Sequence, residues 1–406
     1  MNKFSKKMFI ADIVLSFIAF ALPVFVMYFC IQPGIARVFS SSFQNSEQIY
    51  GAYLTTLAIL QFLDSSFIGA LSNLRLIDSN KDEVEKDGRS VSVILLLVTL
   101  FFISLVLLLV LVAFGSFNLE QICLTLMVLL FMAAFDYFLV EFRVTLNYKL
   151  IVIANLVVIA GYCIGFIVFG FTYTWQIIYI FGYGFGCFFL FFKQRLWHLS
   201  FENAFPAKYM LQYLKLALSN IVSNIVAYGD RLVLFGLMGA NNVSIYASAA
   251  VASKTVSFVT TPFATVLLSY LAKMESLKLS SKQLLGCLAA LFTMMSLTFL
   301  VFIPFSCLMT SFLYPQWSSN SLQYIPLIVL GIVFLSFANL INTVILRFSS
   351  SNYQLVVSSM RLLVYFICTI VLTSIYGLFG FCLGVFITEA VRFFVIVIIF
   401  IRTHKL

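Results

Sequence analysis

Charge is scarce in this sequence. Only 10% of its 406 residues are Asp, Glu, Lys or Arg, against roughly 25% in a soluble domain. That shortage excludes an ordinary water-soluble globule. Histidine is almost missing too: His198 and His404 fall in expected cytoplasmic segments, and no metal site follows. The eight cysteines are scattered, mostly within apolar runs, and form no C-x-x-C pair. They read as small buried apolar residues. No Gly-rich phosphate loop precedes a helix, no G-x-S-x-G occurs, and no connection has room for a soluble catalytic domain.

What is abundant is hydrocarbon, at 63% of residues. A helix needs about 20 mainly apolar residues to cross a bilayer. Twelve such runs lie near 9–31, 49–71, 91–114, 119–141, 150–171, 175–193, 211–237, 243–271, 284–309, 322–346, 356–375 and 378–401. They are far longer than the ~10-residue alternating strands of an outer-membrane barrel. Helices also satisfy every backbone group within the segment, as lipid demands. The expected fold is an all-α integral membrane protein: twelve transmembrane helices in two six-helix bundles around a central cavity.

The positive charges give the orientation. With the amino terminus placed in the cytoplasm, 18 of the 24 lysines and arginines fall in cytoplasmic segments, and only Arg37 falls outside. This bias puts both termini inside and requires an even number of spans. The net charge of +9 is then an orientation effect. Nucleic-acid binding would need a basic surface domain, and there is none. The first run is expected to be retained. Ala19-Phe20-Ala21 fits a small-x-small cleavage site, but Asp12 interrupts the apolar core and the run continues through Phe29. Pro23 is expected to bend that helix.

The cytoplasmic connection 194–210 divides the chain into halves, 1–200 and 201–406, with six spans each. A shift of 196 residues pairs Ile49-Tyr50 with Ile245-Tyr246, Phe62 with Phe258, Phe67 with Phe263 and Leu71 with Leu267. An even number of spans per half gives parallel repeats about an axis along the membrane normal. Outer connections are short, the longest near 32–48 and 310–321. The cytoplasmic loop 72–90 is dense in charge of both signs and reads as a solvated connector.

A charge at the bilayer centre costs about 2.5–3.5 kcal/mol on insertion scales. Asp12, Asp136, Glu141, Lys215 and Arg361 lie within roughly two helical turns of a cytoplasmic end. They are expected to reach the interface, the basic ones by snorkelling. Deeper positions are Asp64 in the second span, Asp230 and Arg231 in the seventh, Lys254 in the eighth, and Glu389 and Arg392 in the twelfth. Glu389 and Arg392 are three apart and share a helix face. Two readings stand side by side. In one, Glu389 pairs with Arg392, and Asp230 with a neighbour such as Lys254, as structural ion pairs. In the other, Arg231, Lys254 and Arg392 line a wet cationic cavity for an anion, with Asp64, Asp230 and Glu389 as charge partners or ion-coupling groups. Arg offers a planar fork to phosphate oxygens and Lys a compact point charge. Tyr28, Tyr50, Tyr228 and Tyr246 have aromatic faces and hydroxyls suited to sugars, although tyrosine is also common at membrane interfaces.

Tyr228-Gly229-Asp230-Arg231, then Gly236 to Gly239, Tyr246-Ala247-Ser248-Ala249 and Pro262, resembles polysaccharide flippases. The twelve-span layout, cytoplasmic termini and basic amino terminus are similar to the O-antigen and capsule-unit flippases (Wzx type). Those belong to the multidrug/oligosaccharidyl-lipid/polysaccharide exporter superfamily. The layout resemblance covers the whole chain, and the residue resemblance covers 228–262. It implies a bacterial inner-membrane protein, not an enzyme. Such a protein turns an undecaprenyl-pyrophosphate-linked oligosaccharide from the cytoplasmic to the periplasmic leaflet through a cationic cavity. The implied partners are that lipid-linked oligosaccharide, membrane lipids, and the polysaccharide polymerase and chain-length machinery. No cofactor, metal or nucleic acid is expected.

A drug or cation antiporter of the same superfamily is the alternative. Its cavity should be dominated by acids, whereas the deep charges here are balanced. A membrane polysaccharide polymerase would need catalytic Arg or His in an outer loop, and only Arg37 is there. A major-facilitator transporter would carry a Gly- and Arg-rich signature that 69–89 does not match. Reporter fusions test the topology. Fusions within 38–45, 240–242 and 315–320 should report periplasm, and those within 80–86, 200–205 and 276–280 cytoplasm. A cytoplasmic signal from 240–242 would overturn the arrangement of the halves.

Overall fold

The computed structural model describes residues 18, 21–78, 87–114, 118–145, 147–194, 207–256, 260, 281–348 and 352–404. Among them the secondary structure is helical, with short turns and no strand. This is the consequence expected of an apolar chain whose backbone polar groups must be satisfied without water. The helices are α1 (Ala21–Ser42), α2 (Ser46–Leu76), α3 (Asp87–Phe114), α4 (Leu119–Val144), α5 (Tyr148–Thr172) and α6 (Gln176–Gln194). They continue with α7 (Ala207–Met238), α8 (Ala240–Ser253), α9 (Ser281–Leu313) and α10 (Ile325–Phe348). The last helical stretch, Asn352–His404, contains a break at Gly377 (φ 60°, ψ −140°). Its arms, 352–376 and 378–404, are α11 and α12.

Ten described helices are long and apolar enough to cross a membrane. One of them, Val356–Arg402, is 47 residues long, or about 70 Å if straight, more than twice the ~30 Å hydrocarbon core. It is two spans. The chain folds back at Gly377, so that Gly384 packs on Cys368 and Thr369, and Glu389 reaches Arg361. The φ of +60° at the reversal is a conformation that a side chain disfavours. The expected eighth span, 243–271, is described as helix only over its first part, within Ala240–Ser253. Beyond Val256 all of it but residue 260 lies outside the described residues, as do Asp12, most of the connection 194–210, His198, Pro262 and the 79–86 part of the charged loop.

The first outer connection is shorter than expected. The sequence reading ends the first span at 31 and leaves 32–48 as loop, yet α1 runs to Ser42. Pro33 is the reason the two differ. A helical proline lacks an N–H and clashes with the carbonyl four residues earlier. Here the turn Met27–Ile31 is a π-turn, which places the irregularity at Phe29, where Pro33 requires it, and lets the helix continue. The irregularity at Met27–Ile31 therefore belongs to Pro33; the carbonyl that Pro23 would disturb, that of Ala19, lies outside the described residues.

The chain divides into two compact units: Met1–Phe39 with Thr56–Tyr228, and Ser40–Thr55 with Gly229–Leu406. In the first unit α5 and α6 form a close hairpin. A Cβ on Gly161 would fall 2.5 Å from the Phe181 carbonyl oxygen, and one on Gly165 2.7 Å from the Ile178 Cα. Small residues at such positions let backbones approach where lipid supplies no hydrophobic drive. In the second unit the start of α2 packs on α8. The Ser244 hydroxyl donates to the Glu47 carbonyl at 2.6 Å, and Tyr50 packs among Tyr53, Tyr314 and Trp317.

These close approaches give a stability prediction. A Cβ on Gly380 would lie 1.9 Å from the Leu372 carbonyl oxygen, whereas one on Gly170 meets nothing within 4 Å. Gly380→Ala should destabilise by about 1–3 kcal/mol through overpacking. Gly170→Ala should be neutral or should stabilise by about 0.5–1 kcal/mol. Thermal unfolding of both variants in detergent checks the contrast.

Candidate functional site

The second unit gathers most of the deep charges. Asp230 and Arg231 lie toward the end of α7, and both are buried. The Asp230 carboxylate accepts the Arg231 backbone N–H at 2.8 Å, and its other oxygen lies 3.7 Å from Lys254 Nζ. Lys254 is the C-cap of α8, where the negative end of the helix dipole also favours a cation. Arg231 is within electrostatic range of Tyr50 and Tyr246.

Glu389 on α12 is the centre of a second group. Its Oε1 accepts Arg361 Nε at 2.9 Å, and a further bond from the same guanidinium. Its Oε2 lies 3.6 Å from Arg392 Nη1, and Arg392 Nη2 donates to Asn339 Oδ1 at 2.8 Å. One buried carboxylate thus serves two guanidiniums. Tyr365 stands among Asp230, Arg361 and Glu389, and its buried hydroxyl has no hydrogen-bond partner among the described residues. Over both groups four cations face two acids.

The first unit contains a cavity of about 440 Å³ with the opposite balance. Its charged lining is Asp64, Asp136 and Arg143, and Asn155, Asn220, Asn224, Tyr162 and Tyr183 add polar groups. Asp64 opens a second π-turn, Asp64–Ile68, in α2. Such a turn leaves backbone groups available and often accompanies a functional site. Here Asn220 of α7 donates to the Ser65 carbonyl at 3.4 Å, and Asn224 to the Ser66 hydroxyl at 3.1 Å. The carboxyls of Asp64 and Asp136 are within interaction range of each other. Two carboxyls enclosed together call for a counter-charge, supplied by a proton, a cation or a nearby guanidinium.

The deep charges singled out from the sequence all fall among the described residues. Glu389 and Arg392 do share a face and pair, and Asp230 pairs with Lys254. Asp64 belongs to a different unit from Arg231, Lys254, Arg392, Asp230 and Glu389. Three residues expected at the interface are instead internal partners. Arg361 binds Glu389, Glu141 binds Arg75, and Asp136 faces the cavity. Arg75 also lies over the Tyr137 ring, 5.4 Å from its centre. All three lie near a helix end along the chain, but neighbours across the helix, which depth along one helix does not show, hold them inside. Lys215 is exposed, as snorkelling requires. Asn220 and Asn224 were missed. Their signal was present: two amides four apart share one face of an apolar helix.

No family model matches the chain, and no curated protein matches it. Its fold, however, is found among solved structures. An inward-facing multidrug resistance MATE family transporter of the MOP superfamily superposes with a TM-score of 0.65 at 12% identity, over 95% of this chain and 97% of that one. The outward-facing conformation of such a transporter gives 0.65 at 13% identity, over 96% and 93%. A MOP superfamily transporter from Pyrococcus furiosus, described as having a binding pocket of reverse polarity that suggests a different function, gives 0.61 at 12% identity, over 96% and 92%. At such identities the likeness establishes the fold: an all-helical, multi-pass membrane protein of the kind seen in MATE transporters.

The Glu389 group yields a prediction. Removing one partner of a buried ion pair is strongly destabilising, by about 3–5 kcal/mol. Glu389→Gln leaves two guanidiniums without their carboxylate and should lose about that much. Adding Arg361→Gln should restore part of it. Thermal stability of the single and double variants, with their abundance in the membrane, reads the coupling.

Proposed function

We propose that this protein is a membrane transporter that flips an undecaprenyl-pyrophosphate-linked oligosaccharide unit from the cytoplasmic to the periplasmic leaflet of a bacterial inner membrane, for O-antigen or capsule synthesis. The observation that carries this reading is the charge of the second unit. Arg231, Lys254, Arg361 and Arg392 gather in it, and among the described residues Lys254 pairs with Asp230 while Arg361 and Arg392 share the single carboxylate of Glu389. An interior with a surplus of cations is poorly matched to a cationic drug and well matched to a pyrophosphate. Tyr365, with a hydroxyl to spare, and Tyr246 lie beside these charges and suit a sugar head group. The solved neighbours support a transporter fold, and the Pyrococcus furiosus neighbour is described in terms of a pocket of altered polarity. Division of the chain at 200/201 remains our proposal for the two six-helix halves. It follows chain order, while the compact units follow packing.

In this reading the Asp64 and Asp136 cavity takes up a coupling ion or proton, and the second unit holds the anionic head group. A cation or drug antiporter is the second reading, and that same acidic cavity is the observation that favours it.

Gene deletion and complementation separate the two. Deletion should stop surface polysaccharide and leave lipid-linked units facing the cytoplasm; drug sensitivity with normal polysaccharide would favour the antiporter. Arg231→Ala and Lys254→Ala should reach the membrane yet restore less than a tenth of the surface polysaccharide, about the tenfold cost of losing 1.4 kcal/mol. Arg231→Lys and Lys254→Arg should restore more. Full restoration by the well-expressed alanine variants would defeat the cationic reading at those positions, and loss of the protein from the membrane would assign them to structural pairing.

A further inference from the structure

The outward face of the α5/α6 hairpin carries a groove separate from both charge clusters. Phe185, Phe188, Phe189 and Phe192 of α6, Val157 of α5 and Lys193 line a depression of about 620 Å³. Phe188 is 67% exposed, and Phe185 and Phe192 are exposed beside it. On helices of this length and apolarity, exposure means contact with lipid. Phe188 and Phe192 stack edge to face with centroids 4.6 Å apart, so the wall is an ordered aromatic surface. Open space against such a wall forfeits dispersion contacts unless a hydrocarbon chain fills it.

Charge defines the occupant more closely. Lys193 closes one end of the groove. The hairpin register sets Gly161 against Phe181 and Gly182, and Gly165 against Ile178. Continued by three turns, the same register brings Lys149, the second residue of α5, level with Lys193. Both lysines are exposed, and neither takes part in an ion pair among the described residues. From Phe185 to Phe192 the groove runs about 10 Å along the helix, a third of the ~30 Å hydrocarbon core. It therefore stays within one leaflet, the one whose headgroups meet the two lysines.

We propose that this groove is a binding site for an anionic phospholipid. One acyl chain lies along Phe185, Phe188 and Phe192, and the headgroup phosphate sits against Lys193 and Lys149. A net-neutral headgroup leaves the paired lysines uncompensated. A polyprenyl chain, longer than a leaflet, leaves most of its length outside the groove. The site is independent of what is transported.

Native mass spectrometry of the purified full-length protein in detergent tests it, with phosphatidylglycerol and phosphatidylcholine as probes. Phosphatidylglycerol should be retained in preference to phosphatidylcholine. Lys193→Gln should weaken phosphatidylglycerol about fivefold, the effect of one basic residue near an anionic surface, and leave phosphatidylcholine unchanged. Lys149→Gln should act in the same direction. Phe188→Gln should weaken both lipids, and Lys215→Gln, on α7, should change neither. Circular dichroism and monodispersity confirm that each variant is folded. Equal retention of the two lipids by the unaltered protein, an unchanged preference in both folded lysine variants, or displacement of phosphatidylglycerol by a lower concentration of undecaprenyl phosphate would each overturn the proposal.

Discussion

A carboxylate held between two guanidiniums is the interaction on which the second unit depends. Glu389 is buried, and α11 and α12 each bring an arginine to it. In lipid an isolated charge of either sign costs several kcal/mol, so neither Arg361 nor Arg392 has reason to be inside without it. The pairing also dictates geometry. Arg361 and Glu389 are 28 positions apart, which a straight helix would separate by about 42 Å. Their contact requires the reversal at Gly377, and the glycines at 380 and 384 let the two arms close to the distance at which the charges meet. Electrostatics and backbone packing are here one constraint.

Irregular backbone is concentrated where the chain needs something a regular helix withholds. The π-turn at Met27–Ile31 accommodates Pro33 and lets α1 run on. The π-turn at Asp64–Ile68 has no proline to accommodate. It offers the Ser65 carbonyl and the Ser66 hydroxyl to two asparagines of α7, at the point where Asp64 enters the cavity. In hydrocarbon, backbone groups released from a helix must find protein partners. Asn220 is the partner of one such group and Asn224 binds the neighbouring hydroxyl, so the second irregularity is best understood as part of the construction of the acidic cavity.

The architecture was legible in the sequence because lipid imposes long apolar runs, and long runs are the most secure signal a sequence carries. The α11/α12 reversal could be read from two adjacent runs of spanning length. The end of α1 could not, because Pro33 looks like a helix terminator until the compensating π-turn is seen. The Glu389 and Arg392 pair was readable because it is local, three residues apart on one face. Arg361 was not, because its partner lies across a hairpin and sequence depth alone places it near an end. Asp136 was misplaced in the same way. Pairs between helices are set by register, and register among helices without a soluble-style polar face is nearly invisible in one sequence.

The charge surplus bears on what kind of work the interior does. Had the deep residues served only to hold helices together, the least costly arrangement would match each cation with an acid, or replace both by apolar residues of similar volume. The second unit does neither. Among the described residues two acids pair with three cations beside Arg231, and Tyr365 keeps a buried hydroxyl without a hydrogen-bond partner next to them. A carboxylate shared between two guanidiniums leaves positive charge in excess, an energetic cost in a low-dielectric interior that an anion would relieve. The first unit carries the reverse imbalance in a cavity large enough for several waters. Opposite imbalances in separate units are not what stability alone would select. They are the physical ground on which the proposed uptake of an anionic group in one place and a positive counter-charge in another rests.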